Sequence, residues 1–326
     1  MTWGGQNTQS DAFEQLDFAL EQGVNFVDTA ELYAIPPSKE TYGKTETIIG
    51  NWLAKNKKRD SIILASKVAG NSKGWIDHIR QGPKLNRQQM TEALDGSLKR
   101  LQTNYLDLYQ IHWPARVNDI FGVRGISKIN NEQVESIEAI LEVLNDFVKS
   151  GKVREIGISN ETPWGLMQYL KQAKNHDWAK IQSIQNPYSL LNRLFEVGLS
   201  EASLRENVGL LVYSPLGFGV LSGKYLNGKL PNKSRLQLFP HYQRYSNENA
   251  VKATQAYADI AAKYGLSLAQ MALSFVNSRE FVTANIIGAT TMEQLKENVA
   301  SISIHLSDEV LDEIEAVHAT IPDPAP

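Results

Sequence analysis

Apolar runs a few residues long alternate with segments of helical periodicity from one end of the chain to the other. Val24–Asp28, Ile62–Lys67, Leu106–His112, Val153–Ser159, Ile181–Gln185, Leu210–Tyr213 and Asn285–Gly288 are bounded by turn signals and are too short for helices, so they read as strands. Their apolar character suits parallel strands buried on both faces. Between them, Asp11–Gln22 predicts a helix with Phe13, Leu16 and Phe18-Ala19-Leu20 inward and Gly23 as its stop. Another is expected near Lys44–Lys55. Asn86 can cap the next, where Met90, Leu94, Leu98 and Leu101 recur at helical spacing. Val134, Ile137, Leu141, Leu144 and Val148 share one face of a further helix, and Gly151 stands where a left-handed terminal residue belongs.

Strands alternating with helices predict an α/β fold with a parallel sheet. Seven runs qualify as strands, and Thr2-Trp3 could be the stub of an eighth. Eight units would close a (β/α)8 TIM barrel, whereas an open doubly wound sheet usually needs fewer. No GxGxxG follows the first strand, and no linker or composition break divides the chain, so one domain over residues 1–326 is expected.

Several of these runs end on a polar group. Asp28 closes the first, with Tyr33 five residues later; Lys67 closes the second and His112 the third. In one parallel barrel these ends share a face, where loops carry chemistry. Singly, Asp28 reads as a cap, Tyr33 as a packing residue and His112 as a satisfied core histidine. Lys67 is the oddest, because an amine ending an apolar strand must find a partner. Together they complement one another. Asp28 could hold Lys67 charged, and Lys67 could lower the pKa of Tyr33, ordinarily about 10, so that the phenol delivers a proton near neutral pH. A barrel aldolase would instead need Lys67 neutral as a Schiff-base nucleophile, which Asp28 opposes. The long segments Ala34–Gly43, Ala69–Asn86, Pro114–Asn130 and Gly217–Ser246 all follow strands. They are expected to build a pocket on that face, lined by Trp113, Phe121, Tyr242 and Trp3.

The second half carries another signal. Ser159, Asn160 and Gln185 at strand ends suit a carboxamide, and Tyr213 suits a flat ring, although Ser159-Asn160 could simply open the next helix. Gly288-Ala289-Thr290 before Met292-Glu293-Gln294-Leu295 resembles an anion site at a helix N-terminus. With Lys224 and Arg235, this half suits a phosphate-bearing ligand.

Composition narrows the classes. The 326 residues are 42% hydrophobic and 21% charged, the profile of a globular protein. A net charge of −3 argues against nucleic acid or a membrane surface as partner. The absence of cysteine excludes thiol catalysis, disulfides and thiolate metal sites, and the six histidines form no HxH or HExxH pattern, so no metal is expected. The N-terminus lacks a signal-peptide pattern, and no apolar stretch approaches the ~20 residues of a membrane span, so a cytoplasmic protein is expected.

The motifs "FVDTAELY", "LASK", "LYQIHWP", "GKVREIGISN", "IQNPYSLLNR", "YSPLGFGVLSGKYLNG" and "GATTMEQLKENV" give the chain a resemblance to the aldo-keto reductases along nearly its whole length. It looks nearest to their bacterial Tas-like branch, with the potassium-channel β subunits more distant. The resemblance implies a TIM barrel binding NADP(H) across the C-terminal ends of its strands, and a small-molecule carbonyl substrate. It implies a catalytic Asp28, Tyr33, Lys67 and His112, with Tyr33 as general acid and His112 orienting the carbonyl oxygen. Ser159, Asn160 and Gln185 would hold the nicotinamide amide and Tyr213 its ring. Ser214, Pro215, Leu216, Gly217, Ser222 and Lys224 match the pyrophosphate belt, with Gly288, Ala289 and Thr290 beside it. Gln294, Glu297 and Asn298 match adenosine contacts, and Trp3, Tyr33, His112 and Trp113 the substrate pocket, Trp3 also touching the cofactor.

Two departures stand out. Members usually carry an N-terminal hairpin and a full first strand before the "TW" position, where this chain starts, so the barrel floor is expected to be less well covered. Many also place a basic residue after the glycine of the last strand; here the stretch reads Ala289-Thr290-Thr291. Arg235 in "NKSRLQ" is the candidate for the 2′-phosphate instead. The expected function is an NADP(H)-dependent reductase of aldehydes or ketones; the alternative is an NADP(H)-binding redox sensor or regulatory subunit with little turnover.

Overall fold

The structure, a computed structural model, describes residues 1–72, 74–118, 120–129 and 134–326. Lys73 and Asp119, inside two of the expected long loops, and Asn130, the expected end of one, lie outside the described residues. Contacts gather the chain into two units: Met1–Asn118, Ser127–Gln185 and Gly288–Met292 form the first, and Asp119–Ile126, Asn186–Ile287 and Glu293–Pro326 the second.

In the first unit, strands and helices alternate as α1 (Gln9–Glu21), β1 (Phe26–Asp28), α2 (Lys44–Asn56), β2 (Ile63–Val68), α3 (Arg87–Leu101), β3 (Leu106–Ile111), α4 (Ile137–Lys149), β4 (Val153–Ser159), α5 (Pro163–His176) and β5 (Ile181–Pro187). Each strand pairs in parallel with the next. The register aligns Asp28 with Ala65, Lys67 with Gln110, Gln110 with Gly157, and Ser159 with Gln185. Since side chains alternate between faces, Lys67 lies on the face that Ala65 shares with Asp28, and Gln110 joins it. The helices start where short polar side chains take up unpaired N–H groups. Thr8 and Asp11 form a reciprocal capping box, Asn86 accepts from Gln89, and Ser136 accepts from Ala139. That last cap places Val134 before α4, whose buried face is Ile140, Leu141, Leu144 and Phe147. Gly50 lets α2 meet α3 backbone to backbone: a Cβ there would stand 2.1 Å from the Arg100 carbonyl oxygen.

The second unit contains α6 (Leu199–Glu206), β6 (Gly209–Tyr213), α7 (Arg235–Leu238), α8 (Glu248–Lys263), α9 (Leu268–Asn277), β7 (Val282–Asn285), α10 (Met292–Ala300) and α11 (Asp308–Thr320). β6 and β7 run parallel, with Leu210 opposite Val282 and Val212 opposite Asn285. The last strand therefore lies three residues before its expected place at Asn285–Gly288. Thr283 and Asn285 break the apolar run, so sequence alone favours Ile286-Ile287, yet the strand ends at Asn285, with the Ile286 N–H bonding Val212 O at 2.9 Å.

Seven strands occur among the described residues, and Thr2-Trp3 does not form an eighth. The Thr2 carbonyl accepts from Gly5 and Asn7 at 3.1 and 3.0 Å, so this stretch closes on itself as a turn. No helix among the described residues is long and apolar enough to cross a membrane.

Candidate active site

Lys67 is the centre of the first unit's polar cluster. Its side chain is fully buried, and Nζ meets Asp28 Oδ2 at 2.6 Å and Thr29 O at 2.8 Å. Burial pushes the amine below its ordinary value, and the Asp28 carboxylate pulls it back only in part. The expectation from sequence weighed the neighbouring charge and omitted burial, which is the larger effect. Nζ lies 5.3 Å from the centre of the Tyr33 ring. The Tyr33 ring also meets His112 edge-on, ring centres 5.8 Å apart. Burial, and then the Lys67 charge, hold His112 well below the ordinary imidazole range, so the ring is neutral at pH 7. Its Nδ1 is buried with no hydrogen-bond partner among the described residues. Asp28, Tyr33, Lys67 and His112 are thus brought together.

Trp113 is buried against His112, ring centres 4.9 Å apart, with its indole N–H donating to Asn71 O at 3.0 Å. Trp75, which sequence reading passed over, continues the aromatic row 5.6 Å from Trp113 and is half exposed. The Trp3 indole N–H donates to Gln15 of α1 at 2.8 Å.

Two further polar groups were missed. Glu31, fully buried two residues before Tyr33, accepts from Arg80 on a bidentate fork, from the Ala69 N–H at 2.7 Å and from the Tyr42 hydroxyl at 3.2 Å. Burial opposes the Arg80 charge, and Glu31 more than restores it. Tyr42 is a second phenol close by; burial and then Glu31 push it up to about 12. Gln110 donates to Asp28 Oδ1 at 3.2 Å, beside Gln185 at 3.0 Å. A lone polar residue inside "LYQIH" was the available signal.

Ser159 and Asn160 do not open the next helix, since Thr162 caps it. Instead they tie strand ends together: Ser159 Oγ donates to Gln185 O at 2.6 Å, and Asn160, at φ +54°, donates through Nδ2 to His112 O at 2.9 Å. Asn7 Nδ2 donates to Thr290 O at 3.0 Å, and Ala289 is buried.

In the second unit, Tyr213 ends β6 and is hydrogen-bonded by Arg244. The chain from Ser214 to Ser222 then coils tightly. Gly217 N donates to Ser214 O at 2.9 Å, Gly219 N to Leu216 O at 2.9 Å, and Ser222 Oγ to Gly219 O at 2.8 Å. A Cβ on Gly219 would stand 2.8 Å from Lys224 Nζ. The Arg235 guanidinium lies over Phe218 at 4.5 Å and Tyr242 at 5.4 Å. On α10, Glu297 accepts a hydrogen bond from the Ser267 hydroxyl, Asn298 is buried and Gln294 is half-buried.

The profile of the Aldo/keto reductase family matches residues 1–319. The chain is 52% identical over 326 residues to Protein tas of Escherichia coli (strain K12), covering all of this chain and 94% of that protein. It is 36% identical over 281 residues to an aldo-keto reductase of Babesia bovis, 81% of this chain and 98% of that protein. To the uncharacterized oxidoreductase YrpG of Bacillus subtilis (strain 168) it is 30% identical over 322 residues, 95% of this chain and 88% of that protein.

Proposed function

The chain belongs to the aldo/keto reductase family, and on that premise we propose that it reduces aldehyde or ketone carbonyls with NADP(H), Tyr33 supplying the proton. The observation that carries the reading is that the buried Lys67–Asp28 pair and a neutral His112 both lie against the Tyr33 ring. A bound reduced nicotinamide supplies the hydride. Tyr33 protonates the carbonyl oxygen as negative charge develops there. The phenolate that remains is stabilised by Lys67, which Asp28 and Thr29 O hold in place. His112, neutral beside the Tyr33 ring, can orient the carbonyl oxygen. A Schiff-base role for Lys67 is disfavoured, because a fully buried Nζ wedged against a carboxylate offers no approach to a carbonyl carbon.

The residues present fit such a cofactor. Ser159, Asn160 and Gln185 offer buried amide and hydroxyl groups matched to a carboxamide. In the second unit, Lys224 and Arg235 supply cations, and Phe218 and Tyr242 fix the Arg235 fork, a shape suited to a phosphate. We assign Tyr213 to the nicotinamide ring and Ser214 to Gly217, Ser222 and Lys224 to the pyrophosphate, with Gly288, Ala289 and Thr290. Gln294, Glu297 and Asn298 are assigned to the adenosine, and Trp3 and Trp113 to the substrate side. A barrel of the family's (β/α)8 type, with the Thr2-Trp3 stretch outside its strands, is the fold we propose.

Loss of NADPH absorbance with benzaldehyde, butanal and acetone tests the reading, with Tyr33→Phe as control. Turnover by wild type and its loss in the variant support it; no turnover of any carbonyl, or a fully active variant, refutes it.

A further inference from the structure

The Asp28 carboxylate has two oxygens, and only Oδ2 faces Lys67. Oδ1 accepts from the amides of Gln110 and Gln185 at 3.2 and 3.0 Å. A carboxylate only accepts, so both amides must present nitrogen to it. Gln110 Oε1 then needs a donor, and the second proton of Gln185 Nε2 provides one at 3.3 Å. The three side chains close a ring of hydrogen bonds drawn from β1, β3 and β5.

Gln110 reaches that ring because of β4. Its partner across the ladder is Gly157, and a Cβ there would stand 3.1 Å from Gln110 Cγ and 2.6 Å from Ser183 Oγ. The missing side chain leaves room for an amide from β3 to extend over β4 towards β5. Gln110 itself is fully buried, and its chain neighbours Tyr109 and Ile111 are apolar. An apolar residue would fill that position without burying an amide, so the amide calls for a use beyond packing.

We propose that Gln110 is a positioning residue for carbonyl reduction: it holds Asp28 Oδ1, and so keeps Lys67 directed at Tyr33, when Gln185 turns its amide to the cofactor carboxamide. This rests on the reading of the site given above. In that exchange Asp28 loses one of its two amide donors, and Gln110 is the one that stays. Without it, Oδ1 would be left unpartnered in a buried site at the moment the phenolate forms.

The test compares wild type, Gln110→Met, Gln110→Glu and Tyr33→Phe as NADPH complexes reducing benzaldehyde. Gln110→Met is expected to lower kcat by about 10–100-fold, the usual cost of losing a group that orients a functional one, with KM and NADPH affinity nearly unchanged. Gln110→Glu keeps the shape. Protonated, it donates to Asp28; ionised, it repels it, and burial beside Asp28 favours the protonated form. The charged and titratable groups facing it are Asp28 from β1 and Lys67 from β2, with His112 just beyond β3 and neutral. Its activity relative to wild type should therefore climb as pH falls, while that of Gln110→Met stays flat. If Gln110→Met does not fold, the isosteric Glu variant decides the matter by this pH response.

Wild-type kcat in Gln110→Met, or a flat ratio in Gln110→Glu, overturns the inference; with Tyr33→Phe inactive, the reductase reading still stands. A fully active Tyr33→Phe, or a wild type that reduces no carbonyl, overturns both.

Discussion

Replacing Arg80 with methionine tests how the segment around Tyr33 is held. Glu31 is fully buried, and its carboxylate receives four hydrogen bonds: two from the Arg80 fork, one from the Ala69 N–H and one from the Tyr42 hydroxyl. Of these donors Arg80 is the one that carries a charge, and its side chain is just 5% exposed. Methionine keeps most of the aliphatic stem and leaves a buried carboxylate with two neutral donors. Removing one partner of a buried pair costs about 3–5 kcal/mol, against a total stability of about 5–15 kcal/mol. The urea midpoint of Arg80→Met should fall accordingly, read by far-ultraviolet circular dichroism. The cause is separable from lost packing: Arg80→Met combined with Glu31→Gln has no charge to strand and should recover at least about 1 kcal/mol. A single variant within about 0.5 kcal/mol of wild type would refute the reasoning, as would a double variant no more stable than the single.

Tyr33→Phe should lower carbonyl reduction by about 10²–10⁴-fold while NADPH still binds, as fluorescence titration would show. Lys67→Met should also remove most activity, and borohydride with benzaldehyde should trap no adduct on wild type; an adduct at Lys67 would point to the aldolase chemistry instead. Arg235→Ala should cost about 1.5–3 kcal/mol of NADPH affinity and leave NADH nearly unchanged, so equal losses for the two would remove the 2′-phosphate assignment. His112 is held below its ordinary value of 6.5, so the unfolded chain takes up its proton first as pH falls below that value. Stability should therefore drop on acidification by up to about 1.4 kcal/mol per pH unit, and His112→Asn should flatten that slope in urea titrations.

What could be read from sequence was set by how local each signal is. The strands of the first unit were legible because residues such as Leu64, Ala65, Tyr109 and Ile111 are buried whichever way they point. β7 was displaced in the reading because Thr283 and Asn285 interrupt its apolar pattern, and pairing with β6 decides its place instead. Lys67 stood out as an amine in an apolar run. Its partner Asp28 was guessable from strand ends, but the downward pull of burial on its pKa was not, because burial is a property of the assembled sheet. Gln110 and Gln185 lie 82 and 157 residues from Asp28. Only the ladder register makes them neighbours, so one glutamine inside an apolar strand carried no readable partner. Glu31 was hidden for the same reason: Arg80 lies in a loop without periodicity.

Two phenols follow β1, and their surroundings separate their uses. A general acid must be stable as an anion once its proton is gone. Tyr42 donates to the carboxylate of Glu31, so its phenolate would form against a negative charge in a buried site, which is why it is pushed up to about 12. Its hydroxyl serves instead to brace Glu31. Tyr33 has the Lys67 amine near its ring and a neutral His112 beside it, and neither of these neighbours opposes its anion with negative charge. The proton transfer proposed here therefore belongs to Tyr33, and Tyr42, close in the chain as it is, should not rescue Tyr33→Phe.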